Sequence, residues 1–304
     1  MRSLAKLVID PLKYLRIKRS IRRRGETGFA SRVRAHRFID DFLARHDLYA
    51  DRPGVSAHSS GETCQRPLSN DQFQIWIYWA QGFRSAPEIV SACRRRMFEM
   101  NDGARIVEID DDNIGDYVDI PNYIFRKIFH NKTHFSDILR CSLLARHGGI
   151  WCDATCYCAQ PLQPLFTRTK DGFFAYTRTD TYLMSSWLMI SAPGNPIPVM
   201  LRDALLDYWA ASTRLEDYFW IHYLFEALYN QHAQFRAIWD ARHIECSARA
   251  HTLQHCLAES YDQAMMAEIL ALTPIQKLTY KIPDPPSDSY WHHLLERRKD
   301  ACSD

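Results

Sequence analysis

The chain has 304 residues, of which 46% are hydrophobic and 24% charged, with a formal net charge of +2 at pH 7. That share of apolar side chains supports a sizeable core and excludes disorder over most of the length. The charge is uneven, because residues 1–40 hold twelve Lys or Arg against three acids, a local +9 that leaves the remainder at -7.

Within the basic segment, Leu4, Leu7, Val8, Leu12, Leu15, Ile17 and Ile21 approximate a helical stripe that Pro11 interrupts. Such a stripe suits an anionic membrane face, or equally a helix packed on the main domain with its arginines solvated. No zinc-finger spacing, RNP-like signature or helix-turn-helix signal accompanies the basic run, so nucleic acid is not an expected partner. The longest mixed apolar stretch, 182–199, is broken by Pro193, Pro196 and Pro198 and predicts no spanning helix. The nine cysteines are scattered and odd in number, with no secretory signal of the usual form. These features predict reduced thiols and a cytoplasmic protein, peripheral at the inner face of the membrane if the basic segment attaches there.

Residues 51–72 are rich in Pro, Gly, Ser and Asn and predict a loop. Phe73, Ile75 and Ile77 then alternate with Gln74, Trp76 and Tyr78 at the period of a strand, which Gln81-Gly82 ends. Pro87 opens a helix from Glu88 to about Met100, and a second strand is expected from Arg105 to Ile109, before the acidic run Asp110 to Asp112. Strand, helix and strand in this order begin a nucleotide-binding α/β layer. Neither a Gly-x-Gly-x-x-Gly fingerprint nor a phosphate loop is present, so a dinucleotide dehydrogenase and a P-loop ATPase are not supported.

His134 to Ala145 predicts a helix in which Asp137 and Arg140, three apart, reach a shared site. Gly148-Gly149 stops it, and Ile150-Trp151-Cys152 makes a short strand that delivers Asp153 at its carboxyl end, where ligands meet open α/β sheets. Short strands are expected at 172–176 and 188–191, and helices at 198–209 and 217–229. The stretch 232–260, with four histidines, has no legible period. The expected organisation is a basic extension and linker over 1–72, a catalytic domain over 73–282 and a tail over 283–304.

An acid and a guanidinium on one helix face, with a second acid one turn and strand later, suit the recognition of sugar hydroxyls, ribose or a metal-bound phosphate. A buried Asp-Arg pair bracing a turn uses the same residues. Trp76, Tyr78 and Trp79 offer aromatic surface near the strand end, either for stacking on a base or as core. Gln81-Gly82 lets backbone approach a nucleotide closely. Cys152, Cys156 and Cys158 lack the paired spacing of a structural zinc site.

These strings resemble the capsular polysaccharide synthesis proteins, relatives of the glycosyltransferases that carry a DxD sugar motif. The likeness covers about residues 73 to 282. It rests on Ile75-Trp76-Ile77-Tyr78-Trp79-Ala80-Gln81-Gly82 with Ala86-Pro87, on Ser136-Asp137-x-x-Arg140, and on Gly148-Gly149-Ile150-Trp151-x-Asp153-Ala154-Thr155. Tyr218-Phe219-x-x-His222 and Lys277-Leu278-Thr279-Tyr280-Lys281 add to it. The resemblance implies a GT-A-like, Rossmann-like α/β fold with added helices. It implies a nucleotide-sugar donor, UDP-linked, a divalent cation (Mn2+ or Mg2+), and an oligosaccharide or lipid-linked glycan acceptor, with the anomeric configuration retained.

By the same resemblance, Asp137, Arg140 and Asp153 are the expected catalytic set, with Trp76, Tyr78, Trp79, Gln81, Gly82, Ser136, Gly149 and Trp151 on the donor. Asp153, Thr155, Asp217 and His222 are the expected metal or diphosphate residues. Thr155 stands where the second acid of the motif belongs, and a neutral hydroxyl is a weaker ligand for a hard cation than a carboxylate. Two other readings use the same residues: a non-catalytic glycan-binding protein on a degenerate fold, and a hydrolase with Asp137 and Asp153 as acid and base.

Overall fold

The computed structural model describes residues 11–46, 73–169, 172–178, 182–282 and 284–296, with side chains of the first helix from Gly28 onward. That helix, α1, runs over Pro11–Arg45. The stripe expected between Leu4 and Ile21 lies outside the described side chains. Further along, Gly28, Ser31, Ala35, Ile39 and Phe42 recur at three and four residues and are buried.

The first strand, β1 (Gln74–Tyr78), is buried at every position, so the alternation in its sequence sorts side chains between two covered faces. Helix α2 (Glu88–Met100) follows, then β2 (Arg105–Ile109), α3 (Asn122–Ile128) and α4 (Lys132–His147). Strand β3 (Gly149–Asp153) leads to β4 (Cys156–Cys158) and α5 (Gln163–Thr169). Next come β5 (Phe173–Thr177), β6 (Met184–Ser191), α6 (Pro196–Ala211) and α7 (Trp220–Gln231). The stretch without a legible period folds as α8 (Ala233–Asp240), α9 (Ser247–Ala250) and α10 (Thr252–Cys256), each too short to display one. The chain closes with α11 (Gln263–Ala271), β7 (Ile275–Lys277) and α12 (Tyr290–Glu296).

The five-stranded sheet has the order β2-β1-β3-β6-β5. Its β2-β1-β3 half is parallel and β6 runs antiparallel to both of its neighbours, β3 and β5, so this is the mixed α/β fold that the sequence leads one to expect. On one face Trp76 and Tyr78 join Leu139 and Leu143 of α4 and the apolar sides of α6, α7 and α1. On the other, Ile75 and Ile77 meet Met97 of α2 and Leu165 of α5. Helix α4 is buried from His134 to Ala145, which forces its charged pair to be satisfied inside the protein.

The body extends beyond the expected domain limits at both ends. In α1, Ala35, Ile39 and Phe42 are fully buried in the same core as the sheet, and Arg32 and Arg45 each pair at 2.9 Å with Glu226 and Asp207. A Cβ on Gly28 would come within 2.8 Å of Tyr223 Oη, a measure of how closely α1 lies on α7. At the other end, Tyr290 and Leu294 of α12 pack with Ile89, Val90 and Cys93 of α2. Both segments carry an apolar face that only the main body can cover.

Candidate functional site

The parallel strands β1 and β3 end side by side, with Tyr78 paired to Asp153 in register. Their carboxyl ends open into a cavity of about 460 Å³. Of the expected site residues, Tyr78, Trp79, Gln81, Ser136, Arg140, Trp151, Asp153 and Thr155 line it. Thr133, Lys132, Tyr218 and the run Lys277 to Lys281 complete the wall.

Asp153 is the hub. Its Oδ1 accepts from Arg140 Nη2 at 3.3 Å and from Trp151 Nε1 at 3.0 Å, and its Oδ2 lies 3.3 Å from Lys277 Nζ. Burial alone would raise the Asp153 pKa, but the charges of Lys277 and Arg140, helped by the hydrogen bonds, hold it below its ordinary value. Burial likewise opposes the charge on Lys277, and Asp153 outweighs it, so the ammonium is held above its usual range.

Arg140 is the second junction. It donates to Asp137 Oδ1 at 2.7 Å and to Ser136 Oγ at 3.1 Å, and its guanidinium lies 5.2 Å from the centre of the Trp151 ring. Asp137, with 7% of its side chain exposed, stands behind Arg140 and does not line the cavity. Asp137 therefore acts on the cavity through Arg140.

The antiparallel pairing of β4 and β7 sets Lys277 opposite Cys156, and Leu278 N donates to Thr155 O at 2.8 Å. Lys277 Nζ thereby also donates to Thr155 Oγ1. The fully buried Gln276 anchors β7, accepting from Leu253 N at 3.2 Å and donating to Ile269 O at 3.2 Å. On the opposite wall, Tyr78 Oη donates to Asp111 Oδ1 at 2.6 Å, and Lys132 Nζ donates to Asp111 Oδ2 at 2.6 Å. Burial and Asp111 together push the Tyr78 phenol well up. Trp79 and Tyr280 meet edge to face, with centroids 5.4 Å apart.

Besides Asp137, five expected residues sit outside the lining. Trp76 is fully buried and donates through Nε1 to Gly148 O at 2.9 Å, because the strand period turns it into the core while Trp79, beyond the strand, reaches the cavity. Gly149 has φ 90° and its Cβ position is 2.7 Å from Gln74 O, so β1 crowds it and no ligand reaches it. Gly82, with φ 76°, turns the chain just outside the lining. Asp217 accepts from Phe219 N at 2.8 Å and from Ser31 Oγ at 3.2 Å, bracing the turn into α7 against α1. His222 lies among Tyr182 and Phe219, with centroids 5.1 and 5.7 Å away, and burial lowers its pKa to about 4, so it is a neutral imidazole among aromatic rings.

The four expected metal or diphosphate residues are thus not brought together. Asp217 and His222 are outside the cavity, and Asp153 and Thr155 already accept from Arg140, Trp151 and Lys277. Among the described residues no cluster of three or more His, Cys, Asp and Glu side chains is arranged for a metal ion. One carboxylate already paired to Lys277 and Arg140, beside one hydroxyl, is a weak donor set for a divalent ion.

Lys277 to Lys281 is legible in the sequence as a string, and only the pairing of β7 with β4 gives it a place at the cavity. Lys132 and Thr133 carry no local signal, since they begin α4 and reach the wall through a contact of Lys132 with Asp111, distant in sequence.

Fold and cavity define an α/β protein with a cationic cleft at the carboxyl ends of its parallel strands. The family model described as capsular polysaccharide synthesis protein matches residues 30–294, and the chain belongs to that family. It is also similar to the O-glycosyltransferase braB of Annulohypoxylon truncatum, 22% identical in an alignment of length 183 that covers 51% of this chain and 41% of that protein. The chain thus spans about two fifths of the length of that relative. A solved structure titled PaToxG Glycosyltransferase matches with a TM-score of 0.42 at 17% identity, covering 53% of this chain and 68% of that one.

Proposed function

We propose that the chain is a glycosyltransferase that moves a sugar from a nucleotide diphosphate, UDP-linked, to an oligosaccharide or lipid-linked glycan in the synthesis of a capsular or other surface polysaccharide. One observation carries this reading. Lys132, Arg140, Lys277 and Lys281 line the cavity, and Asp153 is the one carboxylate among the described residues lining it. Such a field selects an anion, and a diphosphate answers it. Trp79 and Tyr280 offer aromatic faces for a base, and Asp153, Ser136 and Thr155 offer partners for hydroxyls.

Asp153 is braced by three donors and is poorly placed to serve as a free base. Transfer with retention fits this arrangement. The bond from the anomeric carbon to the diphosphate oxygen breaks, the acceptor oxygen bonds to that carbon on the same face, and the acceptor proton passes to the departing diphosphate. Incubation with a panel of nucleotide sugars and acceptor glycans, reading released nucleoside diphosphate and the anomeric form of the product, tests this. Release from one donor class and a retained anomer support the proposal. Binding of glycan with no release from any donor favours the non-catalytic reading, and an inverted anomer rejects the same-face route.

The acceptor side leads to the N-terminus. Among the described residues no helix is long and apolar enough to cross a membrane. Residues 1–27 carry nine Lys or Arg against two acids, and each cation near an anionic surface contributes about 1 kcal/mol. We infer that this segment holds the protein at the inner membrane face. A form starting at Gly28 keeps Ala35, Ile39 and Phe42 in the core. The full chain is expected to sediment with anionic vesicles at low salt and to be released as the Debye length falls to about 3 Å at 1 M. Equal sedimentation of both forms, or none by either, contradicts the attachment.

A further inference from the structure

We infer that the Lys277 ammonium serves as the resident cation of the diphosphate site, so that nucleotide binding needs no metal ion. This rests on the donor reading above. Lys277 Nζ is 3.3 Å from Asp153 Oδ2 and also donates to Thr155 Oγ1, so it occupies the space between the two side chains that would flank a cation at this strand end. The charges agree with that placement. Two carboxylates at 153 and 155 would call for a divalent ion, whereas one carboxylate and one hydroxyl are neutralised by one ammonium. Thr155, anomalous as a metal ligand, is an ordinary acceptor for a lysine.

The ammonium is also held in place before any ligand arrives. Lys277 leaves the end of β7, whose backbone pairs with β4 and whose neighbour Gln276 is fixed by buried hydrogen bonds. Its side chain is only 19% exposed, and yet it lines the cavity. A cation fixed in a partly dry site acts strongly on an incoming phosphate and needs no reorganisation. Lys281 lines the same wall four residues on and extends the positive surface along the cleft. Asp137 and Ser136 hold two of the Arg140 nitrogens, whereas the Lys277 ammonium keeps a third hydrogen beyond those turned to Asp153 and Thr155.

The test is titration calorimetry of the full chain with uridine diphosphate, and with guanosine diphosphate as a second probe, in excess EDTA and in Mn2+. The wild-type protein is expected to bind with the same affinity, within about twofold, in both buffers. Lys277→Gln keeps a hydrogen-bonding side chain without the charge and is expected to weaken binding about tenfold or more in EDTA. Adding Thr155→Asp to that variant builds a second acid and is expected to recover affinity only when Mn2+ is present. Wild-type affinity that disappears in EDTA and returns with Mn2+ overturns the inference, as does a folded Lys277→Gln variant that binds like the wild type. If the variant does not fold, the wild-type comparison decides alone. Failure of the wild type to bind either probe in either buffer rejects the nucleotide-donor reading, and with it this one.

Discussion

Asp153→Asn is expected to lower sugar transfer by about two orders of magnitude or more while leaving the protein folded. The carboxylate terminates β3 at the mouth of the cavity and is the negative charge against which Lys277 and Arg140 are positioned. An amide of the same size has one accepting oxygen where the carboxylate has two, and it presents an NH2 to one of the neighbouring donors. Lys277 then loses its charged partner and keeps only Thr155, and Arg140 stays on Asp137 and Ser136 but loses the carboxylate that draws it toward the cavity. With 27% of the Asp153 side chain exposed, water replaces part of the lost interaction, so the effect falls on function far more than on stability. Initial rates of nucleoside diphosphate release at saturating and subsaturating donor check this, with circular dichroism confirming the fold. Near-normal turnover at both donor levels contradicts the assignment.

Arg140→Met is expected to do the opposite kind of damage, unsettling the fold as well as the site. Arg140 and Asp137 expose 6% and 7% of their side chains, and the pair sits in a helix buried on all sides. Removing the guanidinium takes away the cation at 2.7 Å from Asp137 Oδ1, and the remaining neighbour is the His134 ring, whose Nδ1 is 3.7 Å from Asp137 Oδ2. Breaking a buried pair from one side typically costs about 3–5 kcal/mol. Urea unfolding of the purified variant reads this directly. Stability within about 1 kcal/mol of the wild type rejects a bracing role for the pair, whereas a double variant Asp137→Leu/Arg140→Met that recovers part of the loss supports it.

Much of this architecture is written in local pattern. Alternation placed β1, and Pro87, Gly148 and Gly149 marked ends that the structure keeps. The strand carrying Asp153 to a ligand-facing end, and the helix joining Asp137 to Arg140, follow from spacing. Periodicity does not say which face is covered, and this separates Trp76 from Trp79. Both are aromatics at one strand, yet one hydrogen-bonds Gly148 in the core and the other lines the cavity. Pairing over long range is equally silent. Lys277 reaches Asp153 only because the three-residue strand β7 finds β4, and no local signal announces that contact across the chain. Asp217 and His222 mislead for a related reason. They stand on a turn and helix that pack against α1 and the aromatic cluster of Tyr182, and nothing in their spacing reveals that their side chains turn to these partners while the neighbouring Tyr218 lines the cavity.

A crystal structure of the full chain with a bound nucleoside diphosphate decides whether the cleft at the ends of β1 and β3 is where a nucleotide sugar binds. Phosphate oxygens are expected within hydrogen-bonding distance of Lys277, with the base against Trp79 or Tyr280 and Asp153 facing the open position that the sugar would fill. A nucleotide found away from Lys277 and Asp153, with this cleft empty, would contradict this placement.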